Sequence, residues 1–167
     1  SGKPSVAYPA SNSGGMGARP GSDGLSATAF PSGVMTMPIE ATEQTGPVVV
    51  WRKELRPDSG GDGEYRGGLG QVIEIEGLPG HEFDFSAMFD RINHPAKGRD
   101  GGEAGAAGKA TLDDGTVLEP KGWQHVPAGR RLVLHLPGGG GFGDAARRDP
   151  AARAADVAKG YISGGKK

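Results

Sequence analysis

The sequence predicts a mainly β domain: a largely antiparallel sheet, sandwich or barrel-like, with long glycine-rich loops and one short C-terminal helix. Three observations carry that expectation. Strand-length runs rich in β-branched and aromatic residues recur between Gly- and Pro-rich punctuation. An Asp-Asp-Gly hairpin signal sits at 113–115, and short connections of this kind can join only antiparallel strands. Convincing helix start and stop signals appear only near the C-terminus.

Taken in order, residues 1–13 are small and polar without strand or helix period, and they read as an extended lead-in or the scar of a longer parent. Residues 14–24 form a dense glycine loop, and Leu25 to Pro38 continues as loop with room for one short strand. Thr36 to Glu43 suits a helical turn, with Pro38 at its first position, Glu40 and Glu43 near its positive end, and Gly46-Pro47 as the stop. Val48 to Leu55 is the clearest strand, bounded by Gly-Pro before and Arg-Pro-Asp-Ser-Gly-Gly after, with the charges of its latter part facing a cleft or solvent.

Further strands follow. Leu69 to Glu76 sets Val72, Glu74 and Glu76 against Ile73 and Ile75, a half-buried strand with one polar face. Phe83, Phe85, Ala87 and Phe89 share one face of the next. Lys109 to Leu112 leads into the hairpin turn, with Thr116 to Glu119 returning. Trp123 to Val126 and Arg131 to Leu136 complete a set of about seven strands, the count that the strand and turn signals support. Asp149 caps the final helix, Pro150 takes its first position, Ala151 to Lys159 forms its body and Gly160 ends it.

Composition bounds the function. A chain of 167 residues with 35% hydrophobic content supports one principal core. Net charge is −1, and Lys and Arg form no sustained block, so nucleic acid is not an expected partner. There are no cysteines, which excludes disulfides, thiolate zinc sites and a cysteine nucleophile. Apolar runs fall far short of the roughly 20 residues that span a bilayer, so no membrane partner is expected either. The polar start at Ser1-Gly-Lys-Pro shows no secretory leader, and a cytoplasmic setting is the expectation. The 32 glycines and 13 prolines exceed a quarter of the chain. Because the glycines punctuate apolar segments, turns and close backbone approaches explain them better than disorder does.

Four segments carry candidate chemistry. In 14–24, Gly15 and Gly17 free backbone N–H groups to approach an anionic or carbonyl ligand, and Arg19 and Asp23 supply opposite charges; an Arg19–Asp23 brace is the structural alternative. The segment lacks the Lys-Ser/Thr ending of a P-loop and the strand and helix of a dinucleotide fingerprint. In 54–70, Arg56 suits a two-pronged grip on a carboxylate or phosphate. Asp58 there orients Arg56 or caps neighbouring backbone, with an internal ion-pair brace as the alternative. In 89–102, Asp90 and His94 lie near each other, but His81, His125 and His135 are scattered and no metal site is expected. In 137–144, Gly138, Gly139 and Gly140 follow a strand directly, and serve either a set of oxyanion-type donors or flat packing by another segment.

Gly-Gly-Met-Gly-Ala-Arg-Pro-Gly-Ser-Asp-Gly (14–24), Glu-Leu-Arg-Pro-Asp-Ser-Gly-Gly (54–61), Tyr-Arg-Gly-Gly-Leu-Gly (65–70) and Pro-Gly-Gly-Gly-Gly-Phe-Gly-Asp (137–144), followed by Arg-Asp-Pro (148–150), resemble consecutive signatures of the hydantoinase B/oxoprolinase family. Four motifs in order are far more specific than any one glycine loop. The resemblance covers nearly all of the chain after residue 13 and implies that 14–167 is the C-terminal domain of a B-type subunit. It also implies ATP-dependent cyclic-amide hydrolysis: a hydantoinase A-type partner uses ATP and Mg to phosphorylate the substrate carbonyl oxygen, and the B-type subunit handles the activated intermediate.

The N-terminal part of such a subunit, with its possible divalent metal, is expected as a further partner. No cofactor is expected in this chain, which alone should be inactive. Asp23 and Asp58 are then the catalytic candidates. Arg19, Arg56 and the glycines are the substrate-binding ones, for a small cyclic amide or ketone. An acetone/acetophenone-type carboxylase, a noncatalytic assembly module and a small β-domain binding carbohydrate or peptide are the alternatives.

Overall fold

The computed structural model describes residues 12–29 and 37–163. Except for Asn12 and Ser13, the expected lead-in lies outside the described residues, as does the 30–36 part of the loop after the first glycine motif. Elements follow in the order α1 (Ile39–Thr45), β1 (Val48–Leu55), β2 (Gln71–Gly77), β3 (Phe83–Met88), β4 (Lys109–Leu112), β5 (Lys121–Val126), β6 (Arg131–His135), a 3-10 turn (Ala145–Arg147) and α2 (Pro150–Ala158).

The strands form one four-stranded sheet ordered β1-β2-β6-β4 and a two-stranded ribbon of β3 and β5. Every strand pair is antiparallel, although no two paired strands are joined by a hairpin-length turn: the short link 127–130 carries the chain from β5 in the ribbon to β6 in the sheet. Register places Leu134 between Ile73 and Ala110, and Leu132 between Ile75 and Leu112, so these apolar side chains share one face. The ribbon covers that face. Phe83 and Phe85 alternate with exposed Asp84 and Ser86, and with Val126 they pack on Ile73, Leu132 and Leu134. The core is therefore a small sandwich.

The opposite face of the sheet is ionic. Glu74 accepts from Arg131 at 3.2 Å and Arg52 at 3.5 Å, and the Arg131 guanidinium stacks over Trp51. The expected polar face of β2 thus exists, with one difference: Val72 is 4% exposed and Ile73 2%, so the strand begins buried on both sides where it leaves the glycine-rich segment 65–70.

Three local expectations shift. Pro38 is the N-cap residue of α1 and the helix body starts at Ile39. The Asp113-Asp-Gly115 turn forms, with Gly115 N–H donating to the Leu112 carbonyl at 3.0 Å. Its return arm at 116–119 is only a bridge between Thr111 and Val117 instead of a seventh strand. Val117 faces solvent and Pro120, which has no N–H to donate, ends the arm. At the C-terminus, Asp149 accepts the Ala151 N–H at 3.0 Å and Pro150 opens α2. Gly160 follows at φ 69°, where a glycine carries no steric penalty.

Candidate functional site

The glycine motifs converge. Segment 137–142 runs through a layer of non-strand backbone and bonds successively to several neighbours. Pro137 O accepts from Gly15, Gly139 donates to Gly68 O and accepts from Gly61, and Gly140 O accepts from Ala18, all at 2.8–2.9 Å. Gly138 donates to Ala106 O at 3.1 Å, Gly141 donates to Glu103 O and accepts from Arg99, and Phe142 exchanges both bonds with Tyr65. A β-strand alternates between two partners. Bonding in this many directions exceeds what a two-sided strand ladder provides.

Such a layer packs backbone on backbone, which dictates glycine. A Cβ on Gly138 would overlap the Ser59 carbonyl, one on Gly139 the Met16 carbonyl, one on Gly140 the Lys97 carbonyl, and one on Gly15 the Gly68 carbonyl. Gly17 differs: it is exposed, and its nearest such contact is an ordinary 3.8 Å to Gly140 O. Flat packing by other segments, one of the two uses weighed for 137–144, is present at Gly138, Gly139 and Gly140. The N–H groups of Gly138, Gly139 and Gly141 are already donated to backbone carbonyls.

Against this layer sits a largely buried ionic clasp. Arg148 holds both carboxylate oxygens of Asp23 at 2.9 Å and donates to Asp156 at 2.6 Å. Arg66 donates through Nε to Asp156 at 3.2 Å, through its backbone N–H to Asp23 at 2.7 Å, and stacks on Tyr161. Arg66 and Asp156 are 5% and 6% exposed, so Arg66, Arg148 and Asp156 balance one another where water cannot, while the Asp23 carboxylate closes the clasp at its half-exposed edge. Burial pushes the Asp23 carboxyl up, but the hydrogen bonds from Arg148 and Arg66 outweigh it and hold the group below the ordinary carboxylate range. The Arg148 guanidinium is shifted further up, first by its hydrogen bond to Asp23. The clasp pins α2 to the glycine layer.

Asp23 therefore pairs with Arg148, not with Arg19. Arg19 is exposed in a tight turn closed by backbone bonds with Ser22. Arg56 donates to the carbonyls of Ala107 at 2.8 Å and Leu136 at 3.3 Å, tying β1's end to the β6 exit, and burial lowers its pKa. Asp58, at φ 57°, accepts the Ser163 N–H at 2.9 Å and so caps backbone of the C-terminal segment. Between them Ser59, fully buried, donates to Arg56 O at 2.6 Å and accepts the Gly70 N–H at 2.9 Å.

Asp90 is bound by Lys121 at 2.8 Å and His94 is exposed. No group of three or more His, Asp or Glu among the described residues is placed to hold a metal ion, and no helix among them is long and apolar enough to cross a membrane. Sequence reasoning passed over Arg66, Arg148 and Asp156. The first two lie inside the family-like motifs and were legible as fixed charges flanked by glycine or proline-bearing turns; Asp156 had no such signal.

A model of the hydantoinase B/oxoprolinase family matches residues 1–145. The beta subunit of a caprolactamase from Pseudomonas jessenii is 35% identical over 149 residues, covering 78% of this chain and 24% of that protein. The B-type subunit of a putative D-/L-hydantoinase from a Pseudomonas species is 30% identical over 90% of this chain and 26% of its own. The crystal structure of the ATP-dependent caprolactamase from Pseudomonas jessenii superimposes with a TM-score of 0.75 at 30% identity, covering 91% of this chain and 28% of that one. A nucleotide-free acetone carboxylase also gives 0.75, at 21% identity, which shows shared fold alone. The chain spans about a quarter of the length of these relatives. With a family model covering most of its length and the four motifs meeting in one layer, the chain belongs to the hydantoinase B/oxoprolinase family.

Proposed function

We propose that this chain forms the C-terminal portion of the B-type subunit of an ATP-dependent cyclic-amide amidohydrolase. Its substrate class is hydantoin- or 5-oxoproline-like, and it acts after an A-type partner has phosphorylated the ring carbonyl oxygen. The carrying observation is the family match over residues 1–145. Relatives named as components of a caprolactamase and a hydantoinase support a hydrolase assembled from more than one chain.

The chemistry explains the division of labour. An amide carbonyl is a poor electrophile and its oxygen a poor group to expel; a phosphoryl group on that oxygen corrects both. Among the described residues little suits a nucleotide with its Mg. The N–H groups of Gly15, Gly138, Gly139 and Gly141 are taken by backbone carbonyls, and the described residues offer no cluster of acids for the ion. We assign that step to the A-type partner. The glycine layer, Gly15, Gly138, Gly139 and Gly140 included, then acts as a rigid floor, with Gly17 and Arg19 on its exposed rim.

Arg19 has no side-chain partner among the described residues and is our candidate for holding an anionic oxygen of the intermediate. Arg56, Asp23 and Asp58, each engaged internally, act by positioning the floor. The test is ring opening by a B-type subunit containing this sequence together with its A-type partner, with caprolactam, hydantoin and 5-oxoproline as substrates. Product and ADP should form together, and Arg19→Ala should lower kcat/KM about 10- to 100-fold. Ring opening without ATP would overturn the proposal, and unchanged kinetics in Arg19→Ala would remove Arg19 from it.

A further inference from the structure

The two outer faces of the sandwich differ. On the sheet, Trp51 is 60% exposed, but it donates to Glu76 at 2.7 Å and lies under the Arg131 guanidinium, whose charge Glu74 answers. On the ribbon, register sets Asp84 opposite His125, Ser86 opposite Trp123 and Met88 opposite Lys121. These six side chains leave on the face turned away from Phe83, Phe85 and Val126, which pack on the core. Trp123 and Met88 are diagonal neighbours on that outer face. At 77% and 78% they are the most exposed large apolar residues of the described chain, and neither side chain has a ring or polar partner among the described residues.

Polar groups close the patch at both ends. His125 Nδ1 and Asp84 share a hydrogen bond of 2.8 Å at one end, and Lys121 holds Asp90 at 2.8 Å at the other. An apolar centre containing Trp and Met, inside a rim of charges that already have partners, is the layout of a protein interface. The ribbon is also narrower than the sheet that it covers: two strands against four, with no third strand on either edge among the described residues.

The occupant follows from where the polypeptide reaches the domain. Asn12 lines the same cleft as Met88, together with Gly14, Gly15 and Phe89, so the chain comes into the glycine layer beside this end of the ribbon. Because this chain spans about a quarter of its relatives, most of such a subunit lies outside the shared stretch. We propose that the outer face of the β3–β5 ribbon, centred on Trp123 and Met88, is the docking surface for the preceding part of the B-type subunit, which covers it with an apolar patch. This rests on the reading of the chain as the C-terminal portion of such a subunit, and not on the reaction that the subunit runs.

Hydroxyl-radical footprinting read by mass spectrometry tests the surface without turnover, since exposed Met and Trp oxidise readily. Trp51 is the internal standard. In this chain alone, Met88, Trp51 and Trp123 should all oxidise freely. In a B-type subunit containing this sequence, Met88 and Trp123 should slow at least about fivefold, as desolvation at an interface centre requires, while Trp51 changes by less than about twofold. Unchanged rates at Met88 and Trp123 would overturn the proposal, as would equal protection of Trp51. Protection that appears only when the A-type subunit is added, or in this chain alone at about 1 mM but not at about 10 μM, would also overturn it, by making that subunit or a second copy the occupant. A subunit that opens no ring would still show the expected protection, so failure of the catalytic reading is told apart from failure of this one.

Discussion

Replacing Gly139 by alanine adds one methyl group in a place with no room for it. The new Cβ would meet the Met16 carbonyl, with the Gly17 N–H at 2.7 Å beside it. Relief requires segment 14–18 or 137–142 to move, and Gly139 itself bridges Gly68 and Gly61 through two bonds of 2.9 Å. Overpacking of this kind costs about 1–3 kcal/mol and sometimes more, and two weakened hydrogen bonds add about 1 kcal/mol each. The gain from a stiffer unfolded chain, about 0.4–1 kcal/mol, offsets little of this.

We expect a loss of about 2–4.5 kcal/mol, a large part of the roughly 5–15 kcal/mol available to a domain. In urea denaturation followed by circular dichroism, the midpoint should fall by about 1–3 M at an ordinary slope. Gly17→Ala is the matched control, since its Cβ meets nothing closer than 3.8 Å, and its stability should stay within about 0.5 kcal/mol of the parent. Equal midpoints for the two variants would refute the close-packed glycine layer.

Arg148→Met removes the hub of the clasp and leaves Asp156 buried against Arg66 alone; a loss of about 3 kcal/mol, the low end for breaking a buried pair, should appear in the same urea assay. Asp23 has its pKa depressed in the folded state, so its stabilisation is complete above the unfolded value near 3.9 and disappears as pH falls through the lower folded value. Asp23→Asn should therefore flatten the decline in stability below about pH 4, and an unchanged acid limb would contradict the Arg148–Asp23 pairing. Ser59→Ala deletes a fully buried hydroxyl that both donates and accepts; it should cost about 1–3 kcal/mol by thermal or urea unfolding.

What the sequence showed best was local. Gly46-Pro47 and Arg56-Pro57 bracket β1 because a prolyl residue cannot pass a ladder bond along, and the observed strand, Val48–Leu55, fills that interval. Asp149-Pro150 starts α2 for an equally local reason. The face of Phe83, Phe85 and Ala87 follows from the two-residue period. The glycine layer was legible only as a demand for close approach. Which carbonyl each glycine meets depends on contacts such as Ser59 with Gly138, far apart in the chain.

The clasp was less legible still. Arg148 and Asp23 are 125 positions apart, and Arg66 and Asp156 are 90, and a charged side chain carries no local mark of the partner it will find. Arg19 was the nearer cation to Asp23 in sequence, but the turn with Ser22 directs it outward. The burial of both Val72 and Ile73 likewise arises from layers that the alternation of β2 does not encode.

The most direct test of the functional account is coupled turnover by the complex of the A-type subunit with a B-type subunit containing this sequence, compared with this chain alone. ADP and ring-opened product should form in a one-to-one ratio in the complex, as expected when activation is by one phosphoryl transfer per ring, and neither should form from this chain alone. Ring opening by the isolated chain, or by the complex without ATP consumption, would contradict the account.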